Sequence, residues 1–378
     1  MKGILTHIEE NTGLWFIIDT LKKNGFQAYI AGGAVRDILL QKKPEDFDIL
    51  TNASIKELAS LFKDQKVKTM GKTFPICTIN GIEISSGRAK FHLSDFPESD
   101  LAQRDFTINS MAWDPISKKI IDPFNGKKDL EDAMIRFTKD PEKRIAEDPA
   151  RMVRACRFAA LIDGSFSLSS LELILANKDK LDTLVAKERI HSEIIKAMGL
   201  KRPSLFFKAL KKTGLLSKIF PGLDRCHGLD GGPHHGETVF EHSMMVGDAL
   251  PKNLPVLRLA GFLHDVGKFD AAKKKDGSLT FAGHENETKA VIHDLERLRF
   301  PNKDIAYITS LINTHMRPFT DQTTPKAARR LLLMLDKSGL DYGDFMRMRI
   351  ADKKGNLAKR PYTISEIRIR LKKLFTQM

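Results

Sequence analysis

The stretch from Ala28 to Thr51, AYIAGGAVRDILLQKKPEDFDILT, constrains the fold of this chain more than any other. Tyr29-Ile30-Ala31 reads as the end of a short buried strand, Gly32-Gly33 as a tight turn, and Ala34 to Leu40 as the first turns of a helix bearing Arg36 and Asp37. Pro44 breaks that helix before a second strand begins. On that strand Asp46 and Asp48 stand two apart, so the pleat turns both carboxylates to one face. There they repel each other and gain nothing from an apolar core. A divalent cation between them removes the conflict, and hard oxygen donors suit Mg2+ held together with substrate phosphates. Two glycines at a helix N-terminus let backbone N–H groups approach a polyphosphate, with Arg36 at hand for its charge. Each feature alone also fits a solvated edge strand or an ordinary turn. Together, within seventeen residues, they propose a nucleoside triphosphate and its metal.

GGAVRD followed by a D-x-D strand resembles the nucleotidyltransferase head of the class II tRNA CCA-adding and bacterial poly(A) polymerase family. Around it, residues 1 to about 140 alternate short β-like runs (Gln27 to Ile30, Phe47 to Leu50, Cys77 to Ile84, Ile120 to Asp122) with helical patterns, which predicts an α/β head with a mixed sheet. Beyond it the pattern is helical. The expected divisions are a head over residues 1–142, an all-α neck and body over 143–225, and an all-α domain over 226–378, with His227 to Gly236 as a linker. A length of 378 residues is too great for one ordinary core and suggests two to four domains or subdomains.

No window approaches eighteen uninterrupted apolar residues, and MKGILTHIEENTG carries acids where a signal peptide needs an apolar run, so a cytoplasmic protein with no membrane segment is expected. Cys77, Cys156 and Cys226 stand alone, without zinc or redox spacing, and read as buried small hydrophobes. A net charge of +14 points to a polyanionic partner, nucleic acid first. Membrane-surface binding would need a sustained basic amphipathic helix.

The family's head carries an acid in a strand followed five positions later by Arg, and Glu83 and Arg88 in NGIEISSGR match that spacing. The resemblance therefore implies Glu83 in the metal site and Arg88 at the nucleotide. LAQRDFTINSMAWD resembles the family's RRDFTIN motif with Gln103 in place of the first Arg, and implies nucleotide contacts from Arg104, Asp105 and Asn109. The same stretch also suits a helix N-terminus capped by Asp105 or Thr107. Between Arg88 and Arg104 the chain is shorter than in relatives that add all three nucleotides, and this departure implies addition of CC alone as an alternative.

In AEDPARMVRACRF, Asp148-Pro149 reads as an N-cap with proline at the first helical position, and Asp148, Arg151 and Arg154 recur at i, i+3, i+6 on one face. Such a stripe serves equally as a surface ion-pair row. It also has a recognition logic. The Watson–Crick edges of C and A both place an exocyclic amine donor beside a ring-nitrogen acceptor, whereas U and G show the reverse. A carboxylate accepting from the amine and a guanidinium donating to the ring nitrogen select C and A. This resembles the family's EDxxR motif, here Glu147, Asp148 and Arg151, and KERIHSEI resembles its ERxxxE motif, here Glu188, Arg189 and Glu193. From Ile194 to Leu223 there is no acid but a run of bases including Lys196, Lys201, Arg202, Lys208, Lys211 and Lys212. This is either a solvated face or a surface for RNA phosphates, with the basic tail from Lys353 onward as a second contact.

The C-terminal third holds His242 in a helical pattern, His264-Asp265 after a strongly apolar run, then His284, His315 and Asp352. One His on an apolar helix is usually a core residue, whereas this set offers mixed N/O ligation for a divalent transition metal. The order resembles the HD phosphohydrolase superfamily, which implies His242, His264, Asp265 and Asp352 as ligands, with His284 and His315 at a second metal or the substrate phosphate. The resemblance as a whole implies an enzyme that extends the 3′ end of tRNA from CTP and ATP with Mg2+ in its head. A CC-only enzyme, a poly(A) polymerase and an HD phosphohydrolase with an inactive RNA-binding head are the alternatives.

Overall fold

The computed structural model describes residues 11–70, 76–86, 95–233, 235–275, 277–320 and 322–376. It resolves into two compact units, one of residues 1–151 with 164–173 and one of 152–163 with 174–378.

The first unit is built on a seven-stranded mixed sheet. Its members in chain order are β1 (Ala28–Ala31), β2 (Asp48–Thr51), β3 (Val67–Met70), β4 (Ile76–Ile79), β5 (Ile82–Ser86), β6 (Ala112–Asp114) and β7 (Lys119–Ile121). They lie in the order β3-β4-β5-β2-β1-β6-β7. Only β2 and β5 run parallel, and their register sets Asp48 beside Glu83. On the other side of β2 the antiparallel register sets Asp48 beside Ala31, at the end of β1. Helix α1 (Thr12–Lys23) is capped by Asn11, whose side chain accepts the Leu14 N–H at 3.1 Å. Its buried Leu14, Ile17, Ile18 and Leu21 follow the period of one helical face and join Ile30, Ile49, Ile79 and Ile84 of the sheet in one core. Helix α2 (Gly33–Leu39) follows β1 directly.

The four expected runs overlap β1, β2, β4 with β5, and β7; the run from Cys77 to Ile84 is a hairpin of two strands, β3 and β6 lie outside the expected runs, and one further correction matters for the site. β2 begins at Asp48, and Asp46 lies in the exposed loop that leads into it. Pro44 and the charged residues beside it keep the chain out of the ladder until Asp48, so the two carboxylates do not share one pleat. Arg88 lies outside the described residues, as do residues 89–94 of the short segment that follows it.

A second correction concerns the helix start at residue 148. Helix α3 (Pro141–Glu147) ends there, with Asp148 as its C-cap, and α4 starts only at Arg151 (Arg151–Ile162). Asp148 Oδ1 accepts the Ala150 N–H at 3.2 Å across this turn. Pro149 cannot continue α3, and the break takes Asp148 off the helical face that carries Arg151 and Arg154.

The second unit is helical apart from the two-stranded hairpin Lys273–Lys275 with Ser278–Thr280. Its elements include α5 (Lys187–Met198), α6 (Ser204–Lys212), α7 (Val239–Ala249), α8 (Pro255–Leu263), α9 (Asn302–Thr314), α10 (Pro325–Lys337), α11 (Tyr342–Gly355) and α12 (Ile364–Phe375). Phe207 of α6 stacks at 4.4 Å between centroids on Phe262 of α8, with Phe206 and Phe220 buried alongside. Gly247 of α7 admits this packing, because a Cβ there would collide with the Phe262 ring. Buried Arg258 donates to Gly247 O at 3.2 Å and Met198 O at 2.7 Å, satisfying carbonyls near the ends of α5 and α7. Helix α7 carries a complete capping box between Thr238 and Glu241.

Candidate functional sites

In the first unit the acidic corner sits at one end of the parallel pair. Asp48 and Glu83 are register partners on adjacent strands, so their side chains leave the sheet on the same face. Burial, then Asp48 and then Asp46, push the Glu83 carboxyl above its usual value. Like charges gathered this way lower the cost of binding a cation, and an all-oxygen set matches a hard divalent ion.

Gly32 has a structural reason to be glycine. Its φ is +73°, and a Cβ would strike the Arg104 guanidinium and lie 3.5 Å from Asp48 Oδ2. The bare backbone therefore lets Arg104 lie beside the acidic corner. Arg104 is steered by buried Asp100, 3.7 Å from its Nε. Gly33 opens α2, and Arg36 one turn later is buried rather than free: it donates to Asn109 Oδ1 at 2.8 Å and to Asp37 Oδ1 at 2.7 Å. Asn109 Nδ2 in turn donates to Asp105 Oδ1 at 3.0 Å, an oxygen that also accepts the Phe106 N–H. Arg36, Asp37, Asn109 and Asp105 thus form one chain of hydrogen bonds that ties α2 to the RDFTIN segment. The short 3-10 turn Thr107–Asn109 has no side-chain cap, so the capping reading of Asp105 and Thr107 does not hold.

A further chain fixes the residues around the α3–α4 break. Arg144 is buried, donates to Gln103 O at 3.1 Å and pairs with Glu147 at 3.1 Å. Arg151 donates to Arg144 O at 3.0 Å and lies 3.4 Å from Glu147. Arg151 is therefore held by both members of the Arg144–Glu147 pair. Gln103, which stands in place of the first arginine of the family's RRDFTIN motif, contributes its carbonyl to the same network. Arg144 and Asp100 were not singled out in the sequence. A cation and an acid near a motif are common, and only the fold shows that these two are buried.

In the second unit the His and Asp residues converge. His242 Nε2 lies 3.1 Å from Asp352 Oδ1 and 3.7 Å from Asp265 Oδ2. Asp265 Oδ1 lies 3.1 Å from His284 Nε2 and 3.6 Å from His315 Nε2. The latter two nitrogens are 3.3 Å apart. The outer nitrogen of each ring is occupied: Nδ1 of His242, His264, His284 and His315 faces the carbonyl oxygens of Gly355, Gly261, Phe281 and Ile312. With a carbonyl oxygen at each Nδ1, the rings point Nε2 inward, the orientation metal ligation requires. His264 Nε2 is buried with no hydrogen bond among the described residues, 3.4 Å from Asp265 Oδ2. An orphaned lone pair of this kind is what a bound cation would satisfy. Burial holds the His264 imidazole down to about 3, so it is neutral and ligand-ready at neutral pH. Burial alone would raise the Asp265 carboxyl, but His264, Lys268 and the hydrogen bonds from His284 and His315 hold it well below the usual range.

Sequence reasoning missed the supports of this centre. Glu237 Oε1 lies 2.8 Å from His235 Nδ1 and 3.1 Å from His242 Nδ1, while Lys268 Nζ pairs with Asp265 at 2.8 Å. His235, Glu237 and His242 also meet the distance requirement for a metal group, as do His242-His264-Asp265 and Asp265-His284-His315. The signals were the polar run HHGE just ahead of α7 and the lysine three residues after Asp265. A cavity of about 700 Å³ opens on the cluster, lined by Asp265, His284, His315 and Asp352 together with Lys268 and Arg349.

The neck residues are mostly committed to ion pairs. Glu193 is buried and pairs with Arg157, with Arg154 at 3.6 Å and with Lys196 at 3.9 Å. It binds α4 to α5, which is a support role. Glu188 and Arg189 are exposed. Arg202 pairs with Asp163 at 3.1 Å and Lys211 with Asp224 at 2.9 Å, whereas Lys201, Lys208 and Lys212 are exposed. The three cysteines are free and buried, and burial pushes the Cys156 and Cys226 thiols up to about 12.

Three family models match the chain: the poly A polymerase head domain over residues 28–136, the probable RNA and SrmB-binding site of polymerase A over 166–226, and the HD domain over 234–343. A multifunctional CCA protein of Haemophilus influenzae (strain PittGG) is 34% identical over 323 residues, 76% of this chain and 75% of the relative. A poly(A) polymerase I of Haemophilus influenzae (strain KW20) is 31% identical over 231 residues, and here the match spans about half the length of each protein, 55% of this chain and 51% of the relative. Among solved structures, the CCA-adding enzyme of Bacillus stearothermophilus in complex with CTP shares the fold with a TM-score of 0.65 at 24% identity, covering 96% of this chain and 80% of that one. No helix among the described residues is long and apolar enough to cross a membrane. With the acidic corner, the RDFTIN network and the His/Asp cluster all in place, the chain belongs to the tRNA CCA-adding and bacterial poly(A) polymerase family, among its members that carry an HD domain.

Proposed function

We propose that this chain is a cytoplasmic tRNA nucleotidyltransferase that adds C and A to the 3′ end of tRNA from CTP and ATP. The observation that supports this reading is the register pairing of Asp48 with Glu83 beside the Gly32 turn, because two carboxylates next to a guanidinium would suit a divalent cation and a triphosphate. Its divisions are a catalytic head over 1–142, a base-selecting and RNA-binding neck over 143–225 and an HD domain over 226–378.

Mg2+ held by Asp46, Asp48 and Glu83 would activate the tRNA 3′-OH and offset charge on the α-phosphate and departing pyrophosphate. The chain's own groups do the rest. Arg104 binds phosphate, with Arg88 as a further contact, and the Arg36–Asn109–Asp105 chain fixes the pocket floor so that the ribose meets a preset surface. Asp148 accepts from the base amine and Arg151 donates to the ring nitrogen. Glu147 and Arg144 hold Arg151 at one angle. Arg154 supports this selection from α4 through its pair with Glu193. Exposed Lys201, Lys208 and Lys212 contact the RNA backbone.

In the HD domain, His242, His264, Asp265 and Asp352 would hold a divalent transition metal, and His284 with His315 a second metal or the substrate phosphate. Such a metal would activate water for attack on a phosphoester. Lys268 and Arg349 would neutralise the phosphoryl oxygens.

The test is incorporation of labelled CTP into tRNA that ends at the discriminator base, comparing the wild-type chain with Asp48→Asn. The wild type labels the tRNA. The variant loses roughly a thousandfold or more of the rate, several kcal/mol of charge stabilisation, with tRNA affinity kept. Equal labelling by both would remove Asp48 from the chemistry.

A further inference from the structure

We propose that the outward faces of α10 and α12 form an RNA-backbone contact surface that takes phosphates of the tRNA on which the head acts, an inference that rests on the tRNA reading above. Residues 325–378 carry fourteen Lys and Arg against five Asp and Glu, which is nine of the chain's fourteen net positive charges. The surplus is therefore concentrated at this end of the second unit.

Packing decides which of these cations are available. Helix α10 turns Ala328, Leu331 and Leu335 into the protein, and this leaves Lys326, Arg330 and Lys337 on its exposed side at i, i+4, i+11. Helix α12 packs against α10 and exposes Arg368 and Lys372 one turn apart. None of these five has an ion-pair partner among the described residues. In the neck, by contrast, Lys196, Arg202, Lys211 and Lys218 all hold acids, Lys196 the nearby Glu193 and the other three acids from other elements. Cations already paired within the protein give up an ion pair when they bind phosphate, whereas unpaired ones release only counterions from the RNA.

A lipid surface is the weaker fit. Membrane-surface helices need a free apolar face opposite the charges, and the apolar face of α10 is buried. The exposed Leu333 stands between Arg330 and Lys337, and Ile364 heads the row that continues to Arg368 and Lys372. These apolar side chains are interleaved with cations rather than gathered into a face of their own.

The experiment uses the full chain with Lys326, Arg330 and Arg368 changed together to Gln, and separately to Glu, with Tm recorded to show that each variant is folded. Filter binding of a tRNA transcript across 50 to 200 mM salt reads the slope of log Kd against log salt. The Gln variant is expected to lower that slope by about 2 to 3, as three lost phosphate contacts require, and the Glu variant to weaken binding further. A folded variant with the wild-type Kd and slope overturns the surface. So does loss of binding to phosphatidylserine vesicles with tRNA binding intact, which would assign the face to a membrane. A wild-type chain that neither binds nor extends tRNA overturns instead the reading on which the proposal rests.

Discussion

Arg151 carries the most specific residue-scale consequence of the structure. It is half-buried and bound to both Arg144 O and Glu147, so its guanidinium cannot follow whichever base arrives. A fixed donor rejects a base that presents a donor of its own, and its loss is expected to cost about 1 to 3 kcal/mol of discrimination. Arg151→Ala should therefore raise UTP and GTP incorporation relative to CTP in single-nucleotide competition. Unchanged selectivity would take Arg151 out of base selection. The sequence showed the identity of this residue through its motif but not its anchor, because Arg144 lies seven positions away on a different helix. It also showed Asp46 and Asp48 as a pair, yet placed them on one strand. The structure puts Asp46 in the approach loop and supplies Glu83 as the strand neighbour of Asp48. Two-residue spacing can be read from a sequence, whereas the register between β2 and β5 depends on how the sheet closes.

At the scale of elements, a small polar anchor stands at the start of α12. Glu366 accepts from Arg360 at 3.0 Å and from the Thr363 N–H at 2.7 Å, and the Arg360 guanidinium leads the causes that hold its carboxyl down to about 2. A carboxyl depressed on folding stabilises the folded state above its unfolded value, and that contribution fades as pH falls through the folded one. The Tm difference between wild type and Glu366→Gln should therefore be full near pH 7 and shrink as pH drops from about 4.5 toward 2. A difference that stays constant over that range would mean the ion pair does not anchor the helix. Helices such as α1 were legible because their apolar residues keep one period. The α3–α4 break was misread, because Asp-Pro marks a helix start as readily as it ends the helix before it.

For the whole molecule, the acidic corner and the His/Asp cluster belong to units with their own cores, so their chemistries should separate. Asp265→Asn is expected to abolish metal-dependent phosphoester hydrolysis while tRNA extension persists; joint loss would show that the two activities share a site. The sequence located both centres because their ligands are chemically unusual on apolar elements. The run from Ile194 to Leu223 does not itself show the acids that pair with Arg202, Lys218 and Lys211, because Asp163, Asp179 and Asp224 come from other elements. The activity proposed for the molecule is ordered addition of C, C and A. Its most direct test supplies tRNA ending at the discriminator base, at CC or at CCA, with CTP and ATP singly and together, and reads product lengths on a gel. Growth by CCA followed by a stop is the expected result. A stop after CC, a long A tail or no growth at all would each contradict it.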